Sequence, residues 1–232
     1  MKPLLAVETK RLAAEAAVML VENGMTIGLG SGTTAKIFVD LLGERLASGC
    51  LKNVVGVPTS KATAQQAAAL HIPLGELANY CRLDLAVDGA DEVDPNLNLL
   101  KGWGGAMVRE KLVELYAERF VIMVDETKLV KRLGTRGPLP IEVIPFGWQA
   151  QADWLADKLN CSVVLRRTES RPYLTDNQNY ILSCHFADGI TDPYQIQEQL
   201  FDRPGIVGHG LFLDMASEVL VSTPEGVNRL TR

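Results

Sequence analysis

Leu85-Ala86-Val87-Asp88-Gly89-Ala90-Asp91-Glu92-Val93-Asp94-Pro95-Asn96-Leu97-Asn98-Leu99-Leu100-Lys101-Gly102-Trp103-Gly104-Gly105-Ala106-Met107-Val108-Arg109-Glu110-Lys111 is the stretch around which the rest of the chain is organised. The apolar run 83–87 leads into Asp88 and reads as a buried parallel strand ending at that acid. Open α/β sheets place their ligands just past the carboxyl ends of such strands. Asp88, Asp91, Glu92, Asp94 and Glu110 supply acids here, Lys101 a cation, and Gly102, Gly104 and Gly105 exposed backbone. Acids move protons, while a lysine and free N–H groups meet an oxyanion or a phosphate, so the set suits a small anionic substrate. The competing reading is an acidic surface loop with a glycine turn. Both charge signs set between apolar runs favour the site.

Working outward, strands alternate with helices. Residues 6–22 put Leu12, Ala16, Met19 and Leu20 opposite Lys10, Arg11, Glu15 and Glu22, an amphipathic helix closing at Asn23-Gly24. Residues 25–29 read as a strand, 35–46 as a helix and 53–57 as a strand, and Thr59-Ser60-Lys61-Ala62-Thr63 opens a helix that runs through Leu70. A short strand is expected at 72–74, a helix over 105–119 and a strand over 120–124 ending at Asp125. This rhythm argues a parallel sheet with helices on both faces. It breaks at Gly134-Thr135-Arg136-Gly137-Pro138-Leu139-Pro140. Beyond lie strands at 141–145, 161–165, 180–186 and 206–213, with helices at 149–159 and 192–200, the second capped by Asp192 ahead of Pro193. That order, β-α-β-β-α-β, is the split βαβ arrangement. Residues 219–221 return as a strand of the first sheet.

The fold class expected is therefore α/β: a Rossmann-like parallel sheet with helices on both faces, plus a small inserted α+β domain of split βαβ, ferredoxin-like type. The boundaries are 1–133 and 207–232 for the discontinuous first domain and 134–206 for the second.

Composition narrows the function. The 232 residues are 47 % hydrophobic, enough for a sizeable core. Net charge is −5 and the basic residues are scattered without interleaved aromatics, which argues against nucleic acid. No apolar stretch reaches bilayer length, and residues 1–10 hold no signal core or cleavage site, so a cytoplasmic protein with no membrane partner is expected. Cys50, Cys81, Cys161 and Cys184 are widely spaced and read as buried free thiols. His71, His185 and His209 are isolated, so no metal site is expected.

Gly28-Leu29-Gly30-Ser31-Gly32-Thr33-Thr34 sits between a strand and a helix, where N–H groups and hydroxyls converge on an anion. A dinucleotide loop wants a third glycine where Thr33 stands, and an acid at the next strand's end, where Val57-Pro58-Thr59-Ser60 has none. No lysine makes it a Walker A loop. It suits a phosphate or sugar hydroxyls better than a nucleotide, which speaks against a nicotinamide-dependent dehydrogenase. The competing reading is a helix start capped by Thr33 and Thr34.

Four segments in order resemble the type A ribose-5-phosphate isomerase family. They are Gly28-Leu29-Gly30-Ser31-Gly32-Thr33-Thr34-Ala35; Asp88-Gly89-Ala90-Asp91-Glu92; Lys101-Gly102-Trp103-Gly104-Gly105-Ala106 with Arg109-Glu110-Lys111; and Pro138-Leu139-Pro140-Ile141-Glu142-Val143. Thr175-Asp176-Asn177, Pro204-Gly205-Ile206-Val207 and Thr223-Pro224-Glu225-Gly226-Val227 extend the likeness over nearly the whole chain. The resemblance implies interconversion of ribose 5-phosphate and ribulose 5-phosphate, in the non-oxidative pentose phosphate pathway, without metal or cofactor. It implies Glu110 as the general base, Asp88 and Asp91 at the sugar, and Lys101 at the enediolate oxygen. It implies Ser31, Gly32, Thr33 and Thr34 as a substrate loop, with Gly89, Ala90, Gly102, Trp103 and Gly104 lining the sugar. Lys10 and Lys128 fall near the phosphate. Trp103 departs from members that carry Gly there. Glu92 and Asp94 are left as solvated loop charges. The family tends to form homodimers or homotetramers. The other class weighed is a non-catalytic sugar-phosphate sensor, which lacks room for a helix-turn-helix ahead of the first strand.

Overall fold

The computed structural model describes residues 6–232. Residues 1–5, part of the stretch read above for a leader, lie outside the described residues. Among those residues no helix is long and apolar enough to cross a membrane. The chain divides into two compact units.

The first unit holds the chain up to Ala90, Arg109–Lys128 and Met215–Arg232. Its six-stranded sheet runs in the order Gly226–Thr231, Glu218–Thr223, Phe120–Asp125, Leu85–Gly89, Thr26–Leu29, Val55–Pro58. Every pairing is parallel except that of Gly226–Thr231 with its hairpin partner. Side chains alternate between the two faces of a strand. Ile27, Leu29, Leu85, Val87, Val121 and Met123 therefore share one face, and all are buried there. Helix Ala6–Val18 meets that face through Ala13, Ala14 and Ala17, and helix Thr33–Ala47 through Phe38, Val39 and Leu42. Each large side chain so buried contributes roughly 2 kcal/mol. Gly28 and Ala86 point the other way, where a Cβ on Gly28 would lie 2.8 Å from Val113 of helix Met107–Glu114. Helices thus cover both faces, as the α/β reading requires. Glu218, 3 % exposed, ties the hairpin to the sheet by accepting from Arg119 at 2.9 Å and from Arg229.

Two local expectations for this unit are corrected, and one strand was missed. Residues 72–74 form only an isolated bridge between Leu74 and Gly56. The helix expected over 105–119 is confined to Met107–Glu114. Past it, Leu83 N–H donates to Tyr116 and Glu118 N–H to Leu83, so that backbone pairs in strand fashion. The strand Gly226–Thr231 carries too little buried apolar surface to register as a strand pattern, with four of its six residues exposed.

The second unit holds Asp91–Val108 and Leu129–Asp214. Its four-stranded antiparallel sheet runs Ile206–His209, Leu139–Val143, Tyr180–His185, Ser162–Leu165. Helices Trp148–Leu159 and Pro193–Phe201 supply Leu155, Leu159, Ile196 and Leu200 to its core. Asp192 caps the second helix by accepting from Gln195 N–H at 3.0 Å. Segments 91–108, 129–133 and 207–214, assigned by sequence to the first domain, pack in this unit. The expected strand 206–213 is broken at Gly210, where Ile206–His209 joins the four-stranded sheet and Leu211–Phe212 joins a small sheet with Leu99–Leu100 and Glu92–Val93. Only glycine fits the crossing, because a Cβ there would lie 2.2 Å from the Lys101 carbonyl oxygen.

Glu92 is not a solvated loop charge. It is fully buried and accepts N–H groups from Gly134 at 2.5 Å, Arg136 at 2.7 Å and Gly137 at 3.2 Å. Three backbone donors offset the desolvation of a buried carboxylate and fix the 134–137 loop. Asp94 is half-buried and closes the 94–98 turn by accepting from the N–H groups of Asn96 and Asn98. The thiols also differ from expectation, since Cys50 and Cys81 are exposed and only Cys184 is fully buried.

Candidate functional site

In the first unit, candidate residues gather at the carboxyl edge of the parallel sheet. Asp88 lies within strand Leu85–Gly89 rather than at its end, and is 1 % exposed. Its Oδ1 accepts from Ser31 N–H at 3.0 Å and from Gly89 N–H at 2.7 Å. Gly30 N–H donates to Val87, which binds the loop 30–34 to the same strand end. No other residue fits at Gly30, where a Cβ would lie 2.2 Å from Asp88 Cγ. Gly32 holds φ +91°, the left-handed region that glycine enters without steric cost, and turns the chain into helix Thr33–Ala47. The N–H groups of that first turn have no partner within the helix, which makes it a place for an anion. Lys10 Nζ donates to Thr33 Oγ1 at 2.9 Å. Thr34 packs beside Gly89. Lys128, half-buried, ends a short turn leading from the neighbouring strand Phe120–Asp125, on the same edge.

Sequence reading missed three residues here. Ser31 Oγ lies 2.8 Å from Thr59 Oγ1, 2.8 Å from Ser60 Oγ and 3.1 Å from Thr63 Oγ1. All three are buried where strand Val55–Pro58 gives way to helix Lys61–Ala69. The signal was the hydroxyl run at that junction, read only as a helix start.

Glu110 occupies the first turn of helix Met107–Glu114 and is 4 % exposed. A carboxylate near a helix N-terminus is favoured by the helix dipole. That burial excludes a merely solvated helix acid. Next to it, burial lowers the Lys111 pKa to about 7, against an opposing pull from Glu114. Between that value and the ordinary lysine range the unfolded chain holds a proton that the folded chain lacks. Stability therefore rises with pH across that window, by up to about 1.4 kcal/mol per unit. Urea melts at pH 7.5, 8.5 and 9.5 check this: Lys111→Met should flatten the rise, and an unchanged slope would refute it.

In the second unit the glycine turn is built from three sides. Lys101, 2 % exposed, follows strand Leu99–Leu100 and donates its N–H to Gly210 at 2.8 Å. Its Nζ stands 5.3 Å from the Phe212 ring centre, a cation–π contact. Gly102 takes φ +107°, and Gly105 N–H closes back on Gly102 at 3.0 Å. Asp91 Oδ2 accepts Trp103 N–H at 2.9 Å, so this acid shapes the turn directly. The Trp103 ring packs on the second unit's core and on Gly137, and its Nε1–H donates to Pro138 at 2.9 Å. Its departure from glycine is thus absorbed by packing within this unit. Gly104 is exposed. Ala90 ends the first unit's leading segment and Asp91 begins the second unit. Among the described residues no group of three or more His, Cys, Asp or Glu side chains is placed to hold a metal ion.

The profile of Ribose 5-phosphate isomerase A (phosphoriboisomerase A) matches residues 55–226. The chain belongs to the ribose 5-phosphate isomerase A family. The family enzyme of Synechococcus sp. (strain JA-3-3Ab) is 49 % identical over 225 residues, covering 96 % of each chain. A ribose-5-phosphate isomerase solved in complex with phospho-erythronic acid is 42 % identical with TM-score 0.95, covering 99 % of this chain and 100 % of that one. The isomerase A of Methanocaldococcus jannaschii is 38 % identical with TM-score 0.91, covering 97 % of this chain and 99 % of that one. Membership in the isomerase A family makes the chain an isomerase of sugar phosphates.

Proposed function

We propose that this chain interconverts D-ribose 5-phosphate and D-ribulose 5-phosphate through a 1,2-enediolate, with Glu110 as the general base. The observation that carries the reading is the burial of Glu110 on the first turn of its helix. In the aldose-to-ketose direction Glu110 takes the C2 proton of the open-chain sugar and returns it to C1. Charge passes to the carbonyl oxygen, which Lys101 stabilises, and the remaining hydroxyl proton moves from O2 to O1. A buried ammonium meets such an oxyanion better than one in water. Asp88 assists the hydroxyl proton transfers, while Asp91 holds the turn carrying Lys101. The loop 30–34, with Lys10 and Lys128, receives the phosphate. The complex of a relative with phospho-erythronic acid, a phosphorylated sugar acid, supports this ligand class. Assembly as a homodimer or homotetramer is part of the same family-based proposal.

The test is a direct assay of ribulose 5-phosphate formation, run in parallel in D2O. Turnover with solvent deuterium entering at C1 or C2 is expected. Absence of turnover, or transfer that never takes up label, would sink the enediolate route.

A further inference from the structure

We infer that Glu142 is a positioning residue for the turn at 101–105, acting through the loop 173–179 and the Tyr173 ring. The inference rests on the reading of Lys101 given above. Glu142 lies in the middle of strand Leu139–Val143 and is fully buried. Its Oε1 accepts from Asn179 Nδ2 at 2.8 Å, Thr175 Oγ1 at 3.0 Å and Asn177 Nδ2 at 3.1 Å. Its other oxygen is buried with no hydrogen-bond partner among the described residues. An apolar side chain would fill this position at lower desolvation cost. What the carboxylate adds is three directed contacts, all to one loop.

That loop is closed on itself. Thr175 Oγ1 accepts N–H groups from Asn177 and Asn179, while Thr175 N–H donates to Asn179 and Gln178 N–H to Thr175. Tyr173 leads into it, with its N–H donated to Arg166. The Tyr173 ring carries the Arg166 guanidinium 4.3 Å from its centre. It also lies against Gly105, where a Cβ would come within 2.4 Å of its Oη and 2.8 Å of its Cζ. Tyr173 Oη donates to the Gly104 carbonyl at 3.5 Å. Besides the Gly210 and Phe212 contacts of Lys101, the glycine turn has two further walls: Asp91 with the Trp103 ring, and Tyr173. Glu142 anchors only the second. Loosening it leaves the turn folded, with the backbone beside Lys101 less well held, so the loss falls on the step in which charge develops.

Steady-state kinetics and thermal melting of the full chain test this with Tyr173→Ala, Tyr173→Phe, Glu142→Gln and the Ala–Gln double variant. Tyr173→Ala and Glu142→Gln should each lower kcat about tenfold with KM changed less than about twofold. Tyr173→Phe keeps the ring on Gly105 and should keep kcat. Residues acting along one chain of contacts are non-additive, so the double variant should lose no more kcat than the worse single one. If Glu142→Gln fails to fold, Asn179→Ala removes the shortest contact and should show the same kcat loss. Normal kcat in Tyr173→Ala, or a double variant losing the product of the two single losses, would overturn the inference. Glu110→Gln is assayed beside them. If it is inactive while Tyr173→Ala is normal, only the positioning role falls; if it keeps turnover, the base assignment itself fails.

Discussion

Glu110→Gln is expected to fold as the parent does and to lose kcat by on the order of 10³-fold or more, within the range that a positioned base supplies. The substitution keeps the shape of a side chain buried on helix Met107–Glu114 and removes only its ability to take a proton. Its structural cost includes the loss of a helix-terminal charge, worth about 0.3–2 kcal/mol. A thousandfold loss corresponds to about 4 kcal/mol of transition-state stabilisation. KM should change little, because the missing interaction belongs to the transition state. Kinetics and a circular-dichroism melt on the same preparation separate the two effects. Near-normal kcat in a well-folded variant would remove Glu110 from the mechanism.

Gly30→Ala should be the most damaging single-methyl change on the first unit. The added carbon would lie 2.2 Å from Asp88 Cγ and 2.3 Å from its Oδ1, distances no packed side chain tolerates. Asp88 cannot retreat without releasing the N–H groups of Ser31 and Gly89. Relieving the overlap should cost about 1–3 kcal/mol. For a chain of this length that lowers Tm by several degrees, at roughly 2–4 °C per kcal/mol. A displacement near 1 Å at Asp88 should also lower kcat/KM about 100-fold. Gly104→Ala is the stability control, since a Cβ there meets nothing within 4 Å. Equal melting temperatures for the two variants would show that the loop yields without strain.

The parallel sheet was legible because strands buried on both faces read as apolar runs, and 25–29, 83–87 and 120–124 are such runs. The glycine loop was legible because its hydroxyls and glycines follow a strand directly. What failed to show has a common cause. Glu92 looked like a loop charge because its partners are backbone N–H groups more than 40 positions away, and no local pattern announces them. The strands Glu92–Val93 and Leu99–Leu100 are two residues each, too short for alternation to be seen. The stretch 206–213 is uniformly strand-like, yet its backbone serves two sheets on either side of Gly210. Thr59, Ser60 and Thr63 were in plain sight as a helix start, but that they face Ser31 depends on two parallel strands lying side by side.

Counting protons in the hydroxyl cluster assigns Ser31 a different part from the one its position suggests. Each hydroxyl has one proton to give. Thr63 spends its own on the Gly30 carbonyl, Ser60 on Thr63, and Ser31 on Ser60. The contact between Ser31 and Thr59 is then open to the Thr59 proton, while the longer one between Ser31 and Thr63 is left without a donor. Ser31, Ser60 and Thr63 thus form a one-way relay ending on a backbone carbonyl. On the proposed reading of this loop as the phosphate site, the Ser31 hydroxyl gives its proton to Ser60 rather than to the ligand. The negative charge would then be met by the N–H groups that open helix Thr33–Ala47 and by the lysines, with Ser31 as the rivet that ties the loop to Asp88 and Ser60.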